Sequence, residues 1–335
     1  MKKNIFNQNL PSFCTSNFEV IKSIMMFSKC FGLPVLLECT SNQVNQQGGY
    51  TKLKPKDFYK KVISFSKKIK LNRNKIIFGA DHLGPLPWKN LNNKKALKNS
   101  QILLQSVLIE DFKKIHLDTT IICRNDKNFD LDTVRKRFFK LFKSIPKKKL
   151  KKIYFVVGSE VPFAGGGTST LKTSTLKNVK NDHAIYNTTI NKNVKKPSEF
   201  ALVIEPGMSF SNNKITKPNF KNLKKISKFS KDKKFVFEAH STDYQKIDVL
   251  KKLVKANFKF LKVGPELTFR YHESIKFMLK LEKMFTPIKK RSHLNSILTR
   301  TMKMNPKYWK NYYKGNANKV KFLQFNSLLD RIRYY

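Results

Sequence analysis

The sequence predicts an α/β protein, a TIM (β/α)8 barrel with an N-terminal helix and an extended helical and aromatic segment before the last strand. Three observations predict it. Seven short apolar runs alternate with longer segments of helical spacing, the sequence form of repeated βα units. The runs are nearly continuous in Val, Ile, Leu and Phe, as strands buried on both faces require. Almost every run ends in a carboxylate, an imidazole, a lysine or a glycine. A closed barrel gathers all such ends on one face, whereas an open doubly wound sheet concentrates them at a switch point. The 335 residues exceed the roughly 250 of a minimal barrel, so residues 1–335 are read as one domain with additions.

In chain order, Phe18 to Phe31 reads as a helix ahead of the first strand, placed to plug the bottom of the barrel. The strand runs are Val35–Cys39, Ile76–Asp81, Ile115–Asp118, Ile153–Glu160, Phe200–Glu205, Phe235–His240 and Phe258–Val263. Between them, Phe58, Val62, Ile63, Phe65 and Ile69 recur at helical spacing. So do Ile102, Leu103, Val107 and Leu108, then Val134, Phe138, Phe139 and Phe142, and later Leu223, Ile226 and Phe229. Val320–Phe325 is the expected eighth strand. The interval 266–319, with its Tyr308, Trp309, Tyr312 and Tyr313, is too long for an ordinary crossover and reads as a helical insertion or lid.

Lys plus Arg number 69 and Asp plus Glu 22, a net charge of +47. Such a balance raises a nucleic-acid or anionic-surface partner. The excess, however, is nearly all Lys, spread through every segment without an aromatic-interleaved stripe, and is read as compositional bias with no specific nucleic-acid partner. Cys14, Cys30, Cys39 and Cys123 follow no CxxC spacing and no secreted disulfide pattern. Ile21–Phe31 is too short and too interrupted to span a membrane. A cytoplasmic protein without membrane attachment is expected.

The strand ends carry the candidate chemistry. In Asp81-His82-Leu83-Gly84-Pro85, adjacent side chains point in different directions, so one can bind a metal while the other moves a proton. The bland alternative is a helix N-cap beside a surface histidine. Glu238 and His240 stand two apart on one strand face, either to share a cation or for Glu238 to orient His240. His116 and Asp118 repeat that spacing, with a packed polar layer as the rival reading. Glu38 ends the first run. The amide-rich loop after it, including Asn42 and Gln43, suits sugar hydroxyls or a subunit contact. Glu160 leads into Gly165-Gly166-Gly167, a backbone able to approach an anion, but neither a P-loop nor GxGxxG, so no nucleotide is expected. Ser241 opens a polar loop after His240. Lys262 and Gly264 end the seventh run, where barrels bind phosphate; a Schiff-base lysine is the other reading of Lys262. Arg331 offers a planar fork for phosphate, or a salt bridge anchoring the C-terminus. His183, His272 and His293 are read as structural or exposed.

Several longer strings then combine. Pro34–Tyr50 (PVLLECTSNQVNQQGGY), Asp81–Pro85 (DHLGP), Lys114–Asp118 (KIHLD), Gly158–Pro162 (GSEVP), Glu238–Gln245 (EAHSTDYQ), Leu261–Pro265 (LKVGP) and Ser327–Tyr335 (SLLDRIRYY) resemble the Z-type, non-catalytic subunit family of class II D-tagatose-1,6-bisphosphate aldolase. The resemblance runs from about Cys14 to the last residue. It implies a TIM barrel related to class II aldolases and a role in galactitol or N-acetylgalactosamine catabolism. It also implies a partner, the catalytic Y-type subunit that carries the zinc and needs the Z-type subunit for full activity and stability. Asp81 and His82 resemble the proton-donor Asp and zinc-ligand His of the catalytic enzymes. Three positions depart from the family pattern: Asn17 where a His is frequent, Glu205 where Gln precedes Pro-Gly, and Cys39 in place of Ala.

Asp81, Glu38 and Asp118 are catalytic candidates. His82 and His240 lead a set for zinc or another divalent metal, with Glu160 and Glu205 competing for the third place. Lys262, Gly264, Ser241, Arg331, Asn42 and Gln43 are candidates for binding a phosphorylated ketose. The alternative to the accessory role is an autonomous metal-dependent epimerase or aldolase acting on a ketose phosphate. The sequence leaves open whether the chain is itself an enzyme and whether it forms a homo-oligomer.

Overall fold

The computed structural model describes residues 8–126, 129–158, 173–193 and 200–335. The barrel strands are β1 (Leu10–Cys14), β2 (Val35–Thr40), β3 (Ile76–Leu83), β4 (Phe112–Leu117), β5 (Tyr154–Val157), β6 (Phe200–Val203), β9 (Val236–Ala239) and β10 (Phe258–Val263). They close in the order β1-β2-β3-β4-β5-β6-β9-β10, with every neighbouring pair parallel and β10 returning to β1. A small antiparallel hairpin, β7 (Ser209–Phe210) and β8 (Ile215–Thr216), lies between β6 and β9.

The eighth strand is therefore Leu10–Cys14, not Val320–Phe325. The latter lies inside helix α11 (Ala317–Asn326), whose N-terminus is capped by the Asn316 side chain accepting from Lys319 N. A short apolar run does not distinguish strand from helix by periodicity alone, and here the Asn cap decides. Two consequences follow. The segment Phe18–Phe31, helix α1, is the crossover from β1 to β2 rather than a plug. Asn17 caps it by accepting from Glu19 N and Val20 N, and Gly32 ends it in the left-handed region. Its buried Val20, Ile21, Ile24 and Met25 pack with Val35 and Leu37 on the outer side of β2. The interval 266–319 follows the last strand instead of preceding it. Helix α9 (Pro265–Phe285) leaves β10 directly, and α10 (Leu294–Met304) and α11 continue the C-terminal extension.

The remaining helices cover the barrel: α2 (Pro55–Lys68), α3 (Asn93–Ile109), α4 (Leu131–Lys143), the single turn α5 (Lys147–Leu150), α6 (Leu176–Asn193), α7 (Phe220–Asp232) and α8 (Ile247–Lys255). Each turns an apolar stripe inward. In α2, Phe58, Val62 and Ser66 are buried at i, i+4 and i+8. Full burial of an aromatic such as Phe58 contributes roughly 1.5–3 kcal/mol. Inside the barrel, the period of two along each strand stacks Leu10, Leu36, Ile77, Val156, Ala201, Val203 and Phe260 into an apolar lower layer. The same faces turn charged above it. No helix among the described residues is long and apolar enough to cross a membrane.

Candidate functional site

Following each inner face upward from the apolar layer gives Leu36 then Glu38, Ile77 then Gly79 and Asp81, Phe260 then Lys262, and Lys114 then His116. The register explains the first contact. Glu38 aligns with Gly79, and Gly79 with Lys114. Because Gly79 has no side chain, Glu38 and Lys114 meet across it; a Cβ at Gly79 would lie 2.6 Å from Glu38 Oε1. Lys114, fully buried, donates to Glu38 Oε1 at 2.5 Å and pairs with Glu238 on its other side.

A second network lies nearer the mouth. Asp81 accepts from His116 Nδ1 at 2.8 Å and pairs with the Lys262 ammonium. Lys262 Nζ also lies 2.9 Å from His82 Nε2, while His82 Nδ1 lies 2.7 Å from Asp118 Oδ2. An ammonium only donates, so His82 Nε2 accepts and Nδ1–H donates to Asp118. Both ring nitrogens of His82 are engaged. His240 Nε2 lies 2.9 Å from Glu238 Oε1. The rings of His82, His116 and His240 form a triangle with centroids 5.1–5.3 Å apart.

Adjacent Asp81 and His82 were expected to diverge, yet they face the same interior. His82 adopts φ +49°, which swings its ring back until Nε2 is 3.5 Å from Asp81 Oδ2. The backbone can turn there because Gly84 touches the next strand: Asp118 N donates to Leu83 O, and a Cβ on Gly84 would lie 1.6 Å from Asp118 O. That close approach brings the Asp118 carboxylate to His82.

Burial and pairing set the charges. Burial pushes Glu38 up to about 7 against the pull of Lys114. Burial also opposes ionisation of Asp81, but His82 and Lys262 outweigh it and hold the carboxyl well below its ordinary range. Asp118 and Glu238 are likewise held low despite burial, by His82 and by Lys114 respectively. Burial and Lys262 push His240 down to about 3. Burial works against the Lys262 charge, yet Asp81 and its acidic neighbours raise its pKa. A Schiff-base lysine needs the opposite shift, so the ion-pairing reading of Lys262 prevails.

Above this floor opens a cavity of about 180 Å3. Of the sequence candidates, Asn42, Gln43, His82, His240, Ser241, Lys262 and Gly264 line it. Asp81, Glu38 and Asp118 lie beneath, each at most 1% exposed. Glu205 stands at the end of β6, accepts from Gly207 N through Oε1 at 3.2 Å, and is not on the cavity wall. Glu160 and the Gly165–Gly167 run lie outside the described residues. Arg331 turns aside, its guanidinium 3.4 Å above the Tyr312 ring. Arg333 reaches the wall in its place, beside Tyr334, which stacks on Tyr308 and meets Tyr50 edge-on. Arg333 donates to the Leu329 and Asp330 carbonyls and to the Tyr334 hydroxyl.

Sequence reasoning did not select Lys114, Arg333, Tyr50, Cys14 at the end of β1, or Thr15 and Ser16 just after it. For Lys114 a signal existed: counting back by two from Asp118 and His116 puts it on the same face. Cys14 to Ser16 were hidden by the misplaced eighth strand.

Asp330 anchors the C-terminal turn to α9 by accepting from Thr268 Oγ1 at 2.5 Å, and burial pushes its carboxyl up to about 7 from an ordinary 3.8. A raised acid is neutral in the folded chain, so the folded state binds the extra proton and stability falls as pH rises through that window. Asp330→Asn removes this slope. The difference in melting temperature, variant minus wild type, is expected to grow from about pH 4 to about pH 7 and then level off. Thermal scans of both proteins across that range check it; a flat difference contradicts it.

The family description that matches residues 1–335 is D-tagatose-1,6-bisphosphate aldolase subunit GatZ/KbaZ-like. The chain belongs to this family. It is 33% identical over 336 residues to the D-tagatose-1,6-bisphosphate aldolase subunit GatZ of Salmonella dublin, covering 97% of this chain and 79% of that one. The subunit of the same name from Salmonella agona (strain SL483) is 33% identical at the same coverage. Among solved structures, a probable tagatose 6 phosphate kinase from Sinorhizobium meliloti 1021 superposes with TM-score 0.85 and 29% identity, covering 98% of this chain and 83% of that one. The YdjI aldolase of Escherichia coli K12, at TM-score 0.52 and 10% identity over 99% and 94% of the two chains, shares the fold alone. For this GatZ/KbaZ-like chain, a buried Asp, His and Glu group has ligand atoms close enough to hold a divalent metal.

Proposed function

We propose that this chain is the accessory subunit of a class II tagatose-1,6-bisphosphate aldolase, which sustains a separate catalytic Y-type subunit in galactitol or N-acetylgalactosamine catabolism. Family membership supports the system, and one observation carries the non-catalytic role. The two residues that resemble the proton donor and the zinc ligand of the catalytic enzymes are closed off by their own neighbours. Asp81 is ionised and paired to Lys262, so it has no proton to give near neutral pH. His82 has its outward nitrogen taken by the same ammonium. Zinc polarises a carbonyl or enediolate oxygen only through an open coordination position. Among the described residues, His82, His240 and Glu205 form no group whose ligand atoms converge to offer one.

The cavity favours a second reading, an autonomous epimerase or aldolase. Lys262, Arg333 and Ser241 share its wall with the amides of Asn42 and Gln43, chemistry suited to a phosphorylated ketose. In the accessory reading the same wall binds that ketose without turning it over.

The test is stability of the partner. The catalytic Y-type subunit is incubated at 37 °C alone and with this chain, and residual cleavage of tagatose 1,6-bisphosphate is followed over hours. A several-fold longer half-life with the chain, and co-elution of the two, is expected. An unchanged half-life with no co-elution would sink the accessory role.

A further inference from the structure

We infer that the outer face of helix α9 is the surface on which this chain holds its catalytic partner, and that the partner meets it with apolar side chains rimmed by carboxylates. The inference rests on the accessory reading and adds to it the place and the chemistry of the contact.

Helix α9 is packed only at its start. Its buried residues are Thr268, Phe269 and His272. From Glu273 to Phe285 no residue is buried. Yet Phe277, Leu281, Met284 and Phe285 recur there at i, i+4, i+7 and i+8, with Met278 beside them on the same face. Phe277 is 60% exposed and Phe285 78%, and Ile288, just past the helix, is 67% exposed. A stripe of this spacing ordinarily turns toward a core; this one turns to solvent. Exposed apolar patches rimmed by polar residues mark protein–protein contacts.

Charge selects the occupant. The acids of α9 are engaged within the chain: Glu266 accepts from Tyr244 N, Glu273 pairs with Arg270, and Glu282 accepts from Ser292 N and Oγ. Among the described residues no carboxylate pairs with Lys280, Lys283, Lys289 or Lys290. From Lys283 to Leu329 the sequence holds eleven Lys and Arg residues and no Asp or Glu. Across the whole chain Asp plus Glu number 22, so this absence is local and sharper than the general excess of Lys. The groove between α10 and α11 has the same character, with Arg300, Lys303 and Lys321 on its walls and no carboxylate. A symmetric pair of copies would set these cations against themselves, because a two-fold contact joins the same patch to itself. Like charges across an interface suppress association. A different protein, apolar at the centre and acidic at the rim, satisfies both the stripe and its surrounding charge.

The probe is the purified catalytic Y-type subunit, titrated against the full-length chain by calorimetry, with sedimentation velocity reporting the size of each species. The double variant Phe277→Ser/Phe285→Ser removes two anchors of the stripe and should weaken binding at least about tenfold. Lys280→Glu/Lys283→Glu reverses the rim and should weaken it several-fold at low salt, with a smaller difference at high salt. Ile247→Ser, on α8 and 63% exposed, is the control and should leave binding unchanged. All five positions face solvent, and melting temperatures verify that each variant is folded. Undiminished binding by either double variant overturns the inference and leaves the accessory role standing. No binding by the wild type overturns both. The inference also fails if the stripe holds a second copy or an anionic phospholipid vesicle instead. Either would show as a wild-type dimer, or vesicle binding, that Phe277→Ser/Phe285→Ser abolishes while the Y-type subunit still binds.

Discussion

Lys114→Met should destabilise the chain by about 3–5 kcal/mol, the cost of removing one partner from a buried ion pair. Lys114 is wholly buried, donates to Glu38, pairs with Glu238, and carries its ammonium 5.0 Å from the Phe260 ring centroid. Methionine preserves most of the volume but none of the charge, leaving two carboxylates facing each other in the apolar interior. They respond by taking up protons. Glu38, already pushed up to about 7 with Lys114 present, rises further. The sign of the pH effect follows: the variant's folded state binds more protons than its unfolded state, so its deficit deepens as pH rises from 5 to 8. Urea denaturation at both pH values reads this directly. Adding Glu38→Gln to the variant should recover part of the loss, a coupling that a double-mutant cycle isolates. A change within about 0.5 kcal/mol, the range of ordinary surface substitutions, would contradict the network.

The second large effect is Gly84→Ala. Its new Cβ would stand 1.6 Å from the Asp118 carbonyl oxygen, backbone against backbone, with no flexible side chain to give way. One strand end must move, at a cost of about 3 kcal/mol or more. The movement separates Asp118 from His82. Gly32→Ala is the control. Gly32, unlike Gly84, sits at positive φ, +63°, and its Cβ would meet nothing within 4 Å. There only the left-handed backbone is penalised, by roughly 1–2 kcal/mol. Melting temperatures should therefore fall much further for Gly84→Ala than for Gly32→Ala; equal losses would contradict the close approach at the top of β3.

Much of this fold is legible in the sequence because strands buried on both faces leave unmistakable apolar runs. The exception is instructive. Leu10–Cys14 contains Pro11 and Ser12, and its inner face carries only Leu10, Ser12 and Cys14, so neither continuity nor alternation marks it as a strand. Val320–Phe325 looks more strand-like, yet the barrel is already closed by β1 pairing with β10, and the Asn316 cap makes that segment a helix. At the site, imidazoles and carboxylates at run ends are visible in one dimension, but their partners are not. That Lys114 reaches Glu38 depends on two strand registers and on the gap at Gly79. That His82 turns back onto Asp81 depends on a positive φ. Arg331 and Arg333 are chemically alike, and only the path of the terminal turn decides which of them faces the cavity.

The position of Lys262 ties these observations to function. Its ammonium neutralises Asp81, caps His82 and borders the cavity, so the positions that would move a proton and hold a catalytic metal are held by salt bridges instead. The barrel keeps the architecture of an active site while its charges are spent internally.

The most direct test of that claim is turnover by the chain alone. Purified chain, stripped and then resupplied with zinc or cobalt, is assayed for cleavage of tagatose 1,6-bisphosphate and for epimerisation of ketose phosphates, with a Y-type catalytic subunit as the parallel arm. The account predicts no turnover above background from the chain alone, and faster, longer-lived cleavage when it is added to the catalytic subunit. Metal-dependent turnover by the chain alone that disappears in Asp81→Asn would contradict it and make the barrel mouth a working active site.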